Sequence, residues 1–312
     1  MDYSGLINRA LNLTWKHKIF WVLGFFAVSW GYLGAIEDKF PNISHHDWGH
    51  DFDFDPHFVE RIVDWMTSGP GIAVAIAIVG LFLLLGLIMF VLHLISVAGL
   101  IEGVVRVENG DSHRLKELFV AGARHFWSFL GLFFLSVLAG GIYYALLVLP
   151  LILLIIAFKV LGLLFLIFFI PWAIAGAFLL SNIYSLAQRE IVINNTPVFD
   201  AIGKAFLLLK NNIGPNIIIF LINAFLWIAI VICGIVLMVI FAVPAFIIGA
   251  WSTLFMIVSL IVILPLFFTI AIVTEGFLGT FFNSLFTYFY LELKKMAHSN
   301  DTGGNSDIIP AD

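Results

Sequence analysis

The chain has 312 residues, 62% apolar and 11% charged, with a mean hydropathy of +1.08. Soluble domains carry roughly 45–50% apolar and about 25% charged residues, so an ordinary soluble protein is excluded. The net charge of −5 and the absence of any basic stripe give nucleic-acid binding no support.

Residues 126–158, 160–188 and 211–274 contain no Asp, Glu, Lys or Arg. A membrane span needs about 20 apolar residues, so the chain is expected to cross a membrane several times. A single cysteine, Cys233, lies in an apolar run and reads as a small packing residue, since it has no intrachain disulfide partner and no metal motif around it.

From Arg9 to Phe26 the sequence RALNLTWKHKIFWVLGFF joins an amphipathic run to a basic cluster and then to an uncharged aromatic run. Leu6, Ala10 and Leu13, with Ile7, Leu11 and Thr14, form the apolar side of the first part. This reads as a helix on the membrane surface that turns into a first span, Ile19–Ile36. Basic residues before an apolar run also mark secretory signals, but the long patterned lead and the poor cleavage site at Gly31–Ala35 favour an uncleaved span.

Glu37–Asp64 is a polar loop with eight acids and four histidines. A second span, Gly71–Val105, is longer than a bilayer requires and is broken by Asn109-Gly110-Asp111. Ser112–Arg124 then places Leu115, Leu118, Phe119 and Gly122 on one helical face, with Asp111 or Ser112 as N-cap. A third span starts at Phe126-Trp127 and reaches Pro150, Lys159 marks the return, and a fourth covers Leu163–Leu186. Thr196 as N-cap with Pro197 in the first helical position starts another short helix, which presents Phe199, Ile202, Phe206 and Leu209 on one side. The last apolar block, Ile213–Leu293, is interrupted by Pro244 and Pro265, where a broken, kinked or re-entrant segment is expected.

Charge sets the topology. Of 15 Lys and Arg, twelve fall in four clusters: Arg9, Lys16, Lys18; Arg106, Arg114, Lys116, Arg124; Arg189, Lys204, Lys210; and Lys294, Lys295. The positive-inside rule places all four in the cytoplasm, which demands an even number of crossings between them. The expected fold is therefore an all-α integral membrane protein of about six transmembrane helices in three hairpins, each hairpin preceded by a cytoplasmic amphipathic helix. Residues 1–296 form one polytopic membrane domain with an extracytoplasmic acidic and His-rich loop at 37–69, and 297–312 a disordered cytoplasmic tail. Both termini are expected in the cytoplasm of a multi-pass cell-membrane protein.

The segments TWKHKIFWVLGFF, SNIYSLAQREIVIN and LGTFFNSLFTYFYLELKK carry a resemblance. Together they resemble a group of uncharacterised prokaryotic polytopic membrane proteins, similar in style to the membrane domain attached to some glycerophosphodiester phosphodiesterases. The resemblance covers most of the chain and implies a multi-span bundle with cytoplasmic amphipathic helices. It brings no activity and no catalytic residues.

Three groups of side chains are candidate sites. In the outer loop, His45, His46, His50, Asp51, Asp53 and His57 offer imidazole and carboxylate ligands suited to Zn²⁺, Ni²⁺ or Cu²⁺. The simpler reading of that loop is a solvated acidic segment, and Pro56 and Ile62 stand where a calcium loop has Gly and Glu. In the apolar blocks, His93, Asn182, Asn223 and Glu275 are the polar exceptions, and such residues default to functional candidates. Counting along the helix from Arg106 puts His93 at mid-membrane depth, and counting back from Leu293 puts Glu275 toward the outer interface. The bland alternatives are interhelical bonds for His93 and for the asparagines, Asn283 included, an interfacial carboxylate for Glu275, and a local Glu102–Arg106 ion pair. At the membrane surface, Lys16, Lys18, Arg124, Lys204 and Lys210 suit contact with anionic lipid headgroups.

No catalytic or cofactor motif stands out. The expected function is a non-enzymatic membrane scaffold or lipid-interacting protein, with the bilayer as partner and no cofactor. The alternative is a transporter or channel using broken helices near Pro244 and Pro265.

Overall fold

The computed structural model describes residues 1–36, 64–65, 68–111, 114–158, 166–249 and 253–303. The His- and Asp-bearing loop candidates, His45 to His57, lie outside the described residues. Within the described residues the chain is helical: α1 (Tyr3–Lys16), α2 (Phe20–Ile36), α3 (Gly69–Glu108), α4 (Leu115–Arg124), α5 (Phe126–Phe158), α6 (Leu166–Asn194), α7 (Val198–Asn211), α8 (Ile213–Gly249) and α9 (Thr253–Gly303). Five stretches are long and apolar enough to cross a membrane: Gly69–Glu108, Phe126–Ile156, Phe169–Asn194, Ile213–Val236 and Phe268–Ala297. The 17 residues of α2 make a shorter helix, about 26 Å at 1.5 Å per residue.

Local chemistry sets the helix ends. Asp2 caps α1, its carboxylate accepting from the Gly5 amide at 2.9 Å, and the Ser68 side chain caps α3. At the end of α3, Gly110 takes a left-handed φ of 77° while the Gly110 and Asp111 amides bond back to Val107 and Arg106, a Schellman-type closure. That closure engages Asp111, so α4 starts later than the sequence suggests, at Leu115, with Arg114 in the cap position and no side-chain cap bond. Thr196 is likewise not a cap. Its hydroxyl is drawn to the Glu190 carboxylate at 3.4 Å, Asn195 turns the chain with a φ of 50°, and α7 begins at Val198 after Pro197.

The prolines of the last block do not end helices. α8 continues through Pro244 to Gly249, and α9 through Pro265. Pro265 removes one amide from the ladder, and the Thr269 hydroxyl bonds back within the helix to the Pro265 carbonyl at 2.8 Å. The 51-residue α9 also runs on to Gly303, beyond the boundary expected at 296.

The bundle has two unlike ends. Large apolar side chains are exposed along α3 from Ile72 to Met89, α5 from Phe134 to Phe158, α6 from Ile167 to Leu179, α8 from Ile213 to Ile240 and α9 from Ile261 to Val273. Contiguous apolar surface of this extent does not occur on a soluble monomer; hydrocarbon is the solvent that suits it. At the other end lies a packed core, with Leu94, Leu100 and Ile101 of α3, Phe129 of α5, Leu186 and Ile191 of α6, and Leu285, Phe289, Tyr290 and Leu293 of α9 nearly inaccessible.

The three short helices all pack in this core: α1 on α9, α4 on α3, and α7 on α6. Each ends in a residue whose amide bonds back into the last turn: His17 to Leu13, His125 to Gly122 and Asn212 to Leu209. Counting back from those caps, the residues seven and three places earlier are buried in every case: Ala10 and Thr14, Leu118 and Gly122, Ala205 and Leu209. Leu6, Ala10, Leu13 and Thr14 of the α1 stripe are thus spent on the core, while Leu11 stays exposed. In α7 the buried stripe is Ala201, Ala205 and Leu209, whereas Phe199 and Phe206 are 75% and 49% exposed. The expectation of one Phe-lined face is corrected: small alanines let α7 approach α6, and the phenylalanines occupy an outer edge.

Candidate functional site

A linked group of polar residues of the core sits where α6, α7 and α9 meet. On α6, Asn182, Ser185 and Arg189 share one face at i, i+3 and i+7; on α9, Asn283, Thr287, Tyr290 and Lys294 do the same. Arg189 is 2% exposed. One guanidinium nitrogen, Nη1, donates to the Ser185 carbonyl and hydroxyl at 2.8 Å each and to Gln188 Oε1 at 3.1 Å. The other, Nη2, crosses to α9 and meets the Asn283 carbonyl at 3.3 Å and its Oδ1 at 3.5 Å. The Phe286 ring lies 5.6 Å from the guanidinium carbon. Among the described residues no carboxylate pairs with Arg189, and its Nε has no partner.

One residue on, Glu190 is buried and begins a second network. Its Oε2 accepts from Asn194 Nδ2 at 2.7 Å, Asn194 Nδ2 also reaches the Tyr290 hydroxyl at 2.8 Å, and Lys294 Nζ donates to Asn194 Oδ1 at 2.6 Å. Thr196 joins from the α6–α7 turn, and Lys204 of α7 donates to its hydroxyl at 3.5 Å. These bonds tie α6 to α7 and α9, with both lysines reaching Glu190 through an intermediate side chain.

His93 Nδ1 bonds the Phe26 carbonyl of α2 at 3.2 Å. It stands one residue before the buried run that starts at Leu94, at the border of the core rather than midway along the apolar stretch. Asn182 donates to Phe178 in its own helix at 2.8 Å, so its bond is local, not interhelical. Asn223 Oδ1 is without a partner among the described residues, and Asn283 is the asparagine that bridges helices. Glu275 is half-buried and makes no ion pair or hydrogen bond among the described residues. It adjoins Gly276, where a Cβ would stand 2.5 Å from the Trp21 carbonyl. Glu275 therefore lies level with the start of α2, not at the far end of the bundle. The count back from Leu293 measured core, because that part of α9 is packed in protein. Cys233 is exposed on α8, not packed.

The basic residues Lys16, Lys18, Arg124, Lys204 and Lys210 are all exposed and all lie at this end. Glu102 pairs with Arg106 at 3.0 Å, and Arg106 also reaches Glu117 of α4 at 3.7 Å. Large apolar side chains are exposed alongside these basic residues: Trp15 at 64% and Trp127 at 77%, with Leu11, Phe199 and Phe206. Trp15, Trp21 and Phe277 form an aromatic cluster, with Trp15 6.1 Å and Trp21 5.6 Å from Phe277.

No protein-family model, curated protein or solved structure matches the chain. Function therefore has to be argued from the site alone.

Sequence reading missed Arg189 as a buried residue and the Glu190–Asn194–Tyr290–Lys294 network entirely. The signal was present in the polar stripes of α6 and α9 at helical spacing. Arg189 is easily taken for one more cytoplasmic charge, because spacing does not reveal that α9 covers it.

Proposed function

We propose that the protein is a non-enzymatic, lipid-interacting scaffold of the cell membrane, multi-pass, with both termini cytoplasmic. In this reading the packed end is the cytoplasmic one, α2 is a sixth span, and the chain is three units of one amphipathic helix and one helical hairpin. Supporting the repeat, each short helix lies on the long helix that precedes it, with α1 closing the cycle on α9, and all three share one burial register. The observation that carries the lipid reading is the outer edge of those helices. Once the buried stripes of the short helices are spent on the core, Trp15 next to Lys16, Phe199, and Phe206 one turn before Lys210 stay exposed, as does Trp127 at the start of α5, three residues after Arg124. Aromatic rings with nearby Lys or Arg suit the headgroup layer.

The test places nitroxide-labelled cysteines at Trp127 and Phe199, one at a time in a Cys233→Ser background, in liposomes. Collision with oxygen and a water-soluble relaxant is expected to put both at headgroup depth. Labels as accessible to the aqueous relaxant as one at Lys295 would sink the reading. The rival transport reading keeps one observation in its favour, the half-buried Glu275, which has no ion pair or hydrogen bond among the described residues. Solute or ion flux into liposomes that Glu275→Gln abolishes would establish it instead.

A further inference from the structure

Between the α4–α5 junction and the α6–α7 turn lies a cavity of about 280 Å³, lined by Arg124, His125, Ser128, Ile191, Asn195, Thr196 and Pro197. A water molecule takes about 30 Å³, so the space holds a phosphate-sized group with solvent to spare. We infer that this cavity binds a phosphate group, presented by an anionic lipid headgroup at the membrane surface. The inference rests on the lipid-interacting reading above and gives it a specific place.

Several independent features favour an anion here. Among the described residues Arg124 has no acidic partner, and its guanidinium is left for a ligand; arginine suits phosphate because its planar fork donates two parallel bonds. His125 and the Ser128 hydroxyl add donors on the α5 side, and Thr196 stands opposite with Lys204 bonded behind it. The cavity also sits where two helices begin, α5 at Phe126 and α7 at Val198, and α7 has no side-chain cap. The positive ends of these two helices favour negative charge, but α4 ends at Arg124 and α6 at Asn194, so opposite dipole ends meet at the same point and the recognition rests on the Arg124, His125 and Ser128 side chains. Of the carboxylates near by, Glu190 is engaged by Asn194 and Thr196 and Glu102 by Arg106, while Asp200 stands exposed in the first turn of α7 and opposes an anion there, which leaves Arg124 to carry the charge recognition.

Phosphate could equally arrive as a soluble ion, and the experiment separates the sources. The full chain is assembled in phosphatidylcholine nanodiscs with a minority of phosphatidic acid, and lipid retained in neutral detergent is counted by native mass spectrometry. Wild type is expected to keep phosphatidic acid in preference to phosphatidylcholine. Arg124→Gln should weaken that retention at least about tenfold, the scale of a lost charge-assisted contact, while Lys295→Gln, which removes an exposed charge outside the proposed headgroup contacts, should retain as wild type does. Displacement by millimolar inorganic phosphate assigns the site to the free ion, and resistance assigns it to lipid; either supports phosphate recognition when it depends on Arg124. Equal retention by wild type and Arg124→Gln, or equal loss in Lys295→Gln, overturns the site. Should Arg124→Gln fail to fold, Arg124→Lys keeps the charge without the fork and is judged by the same criterion. If labels at 127 and 199 stay at headgroup depth while retention ignores Arg124, the cavity proposal falls alone and the lipid reading stands.

Discussion

Arg189 shows what a single buried charge does in this protein. Its burial carries a desolvation cost of several kcal/mol, offset by bonds to Ser185, Gln188 and Asn283 and by the Phe286 ring. Asn283→Leu leaves the guanidinium buried with fewer acceptors and is expected to destabilise by about 2–3 kcal/mol. Arg189→Met/Asn283→Leu, which removes the charge as well, should recover part of that loss. Thermal unfolding in detergent across the double-mutant cycle measures the coupling, and simple additivity would rule out this account.

His125 supplies a pH dependence. Burial pushes its pKa below the ordinary 6.5, outweighing the opposing effect of Glu102, with Arg124 adding to the depression. The folded protein therefore holds the imidazole neutral while the unfolded chain binds a proton below about pH 6.5, so this contribution to stability is full at neutral pH and lost on acidification. Melting temperature should fall as pH drops from 7 toward 5, and His125→Asn should flatten that slope.

At the scale of elements, glycines separate the two ends of the bundle. Gly24, Gly276 and Gly279 bring α2 and α9 into backbone contact: a Cβ on Gly24 would lie 2.2 Å from the Gly276 carbonyl, and one on Gly279 2.1 Å from that of Gly24. The Thr280 hydroxyl bonds the Phe20 carbonyl across the same seam at 2.8 Å. Gly80 and Gly86 in the exposed part of α3 have nothing within 4 Å. Gly24→Ala should thus cost about 1–3 kcal/mol by overpacking, whereas Gly80→Ala should be neutral or gain up to about 1 kcal/mol from helix propensity. Equal effects in a thermal-shift assay would contradict the seam. Helix positions and most boundaries were legible in hydropathy and breakers such as Asn109-Gly110. The late start of α4 and the non-capping role of Thr196 were not, because each depends on a bond to a neighbouring element.

For the whole molecule, the topology predicts that cysteines introduced at Gly49 and Asn195 in a Cys233→Ser background label from opposite sides of the membrane. Labelling from one side would overturn the three-hairpin arrangement. The long uncharged runs and the four basic clusters by themselves determined that the chain is helical and built to cross a membrane, because no loop or open strand tolerates hydrocarbon. Which part of each helix is packed in protein and which is left exposed was decided only in three dimensions. The runs that end α3 and α9 are still rich in apolar residues but carry Ser96 and Glu102, and Asn283, Ser284, Thr287 and Glu292, and Leu94–Val104 and Phe281–Leu293 are packed against the short helices and one another. Periodicity identifies an apolar face, but it does not say whether protein or lipid covers it. Counting residues likewise did not show that His93 borders the packed core or that Glu275 lies level with the start of α2.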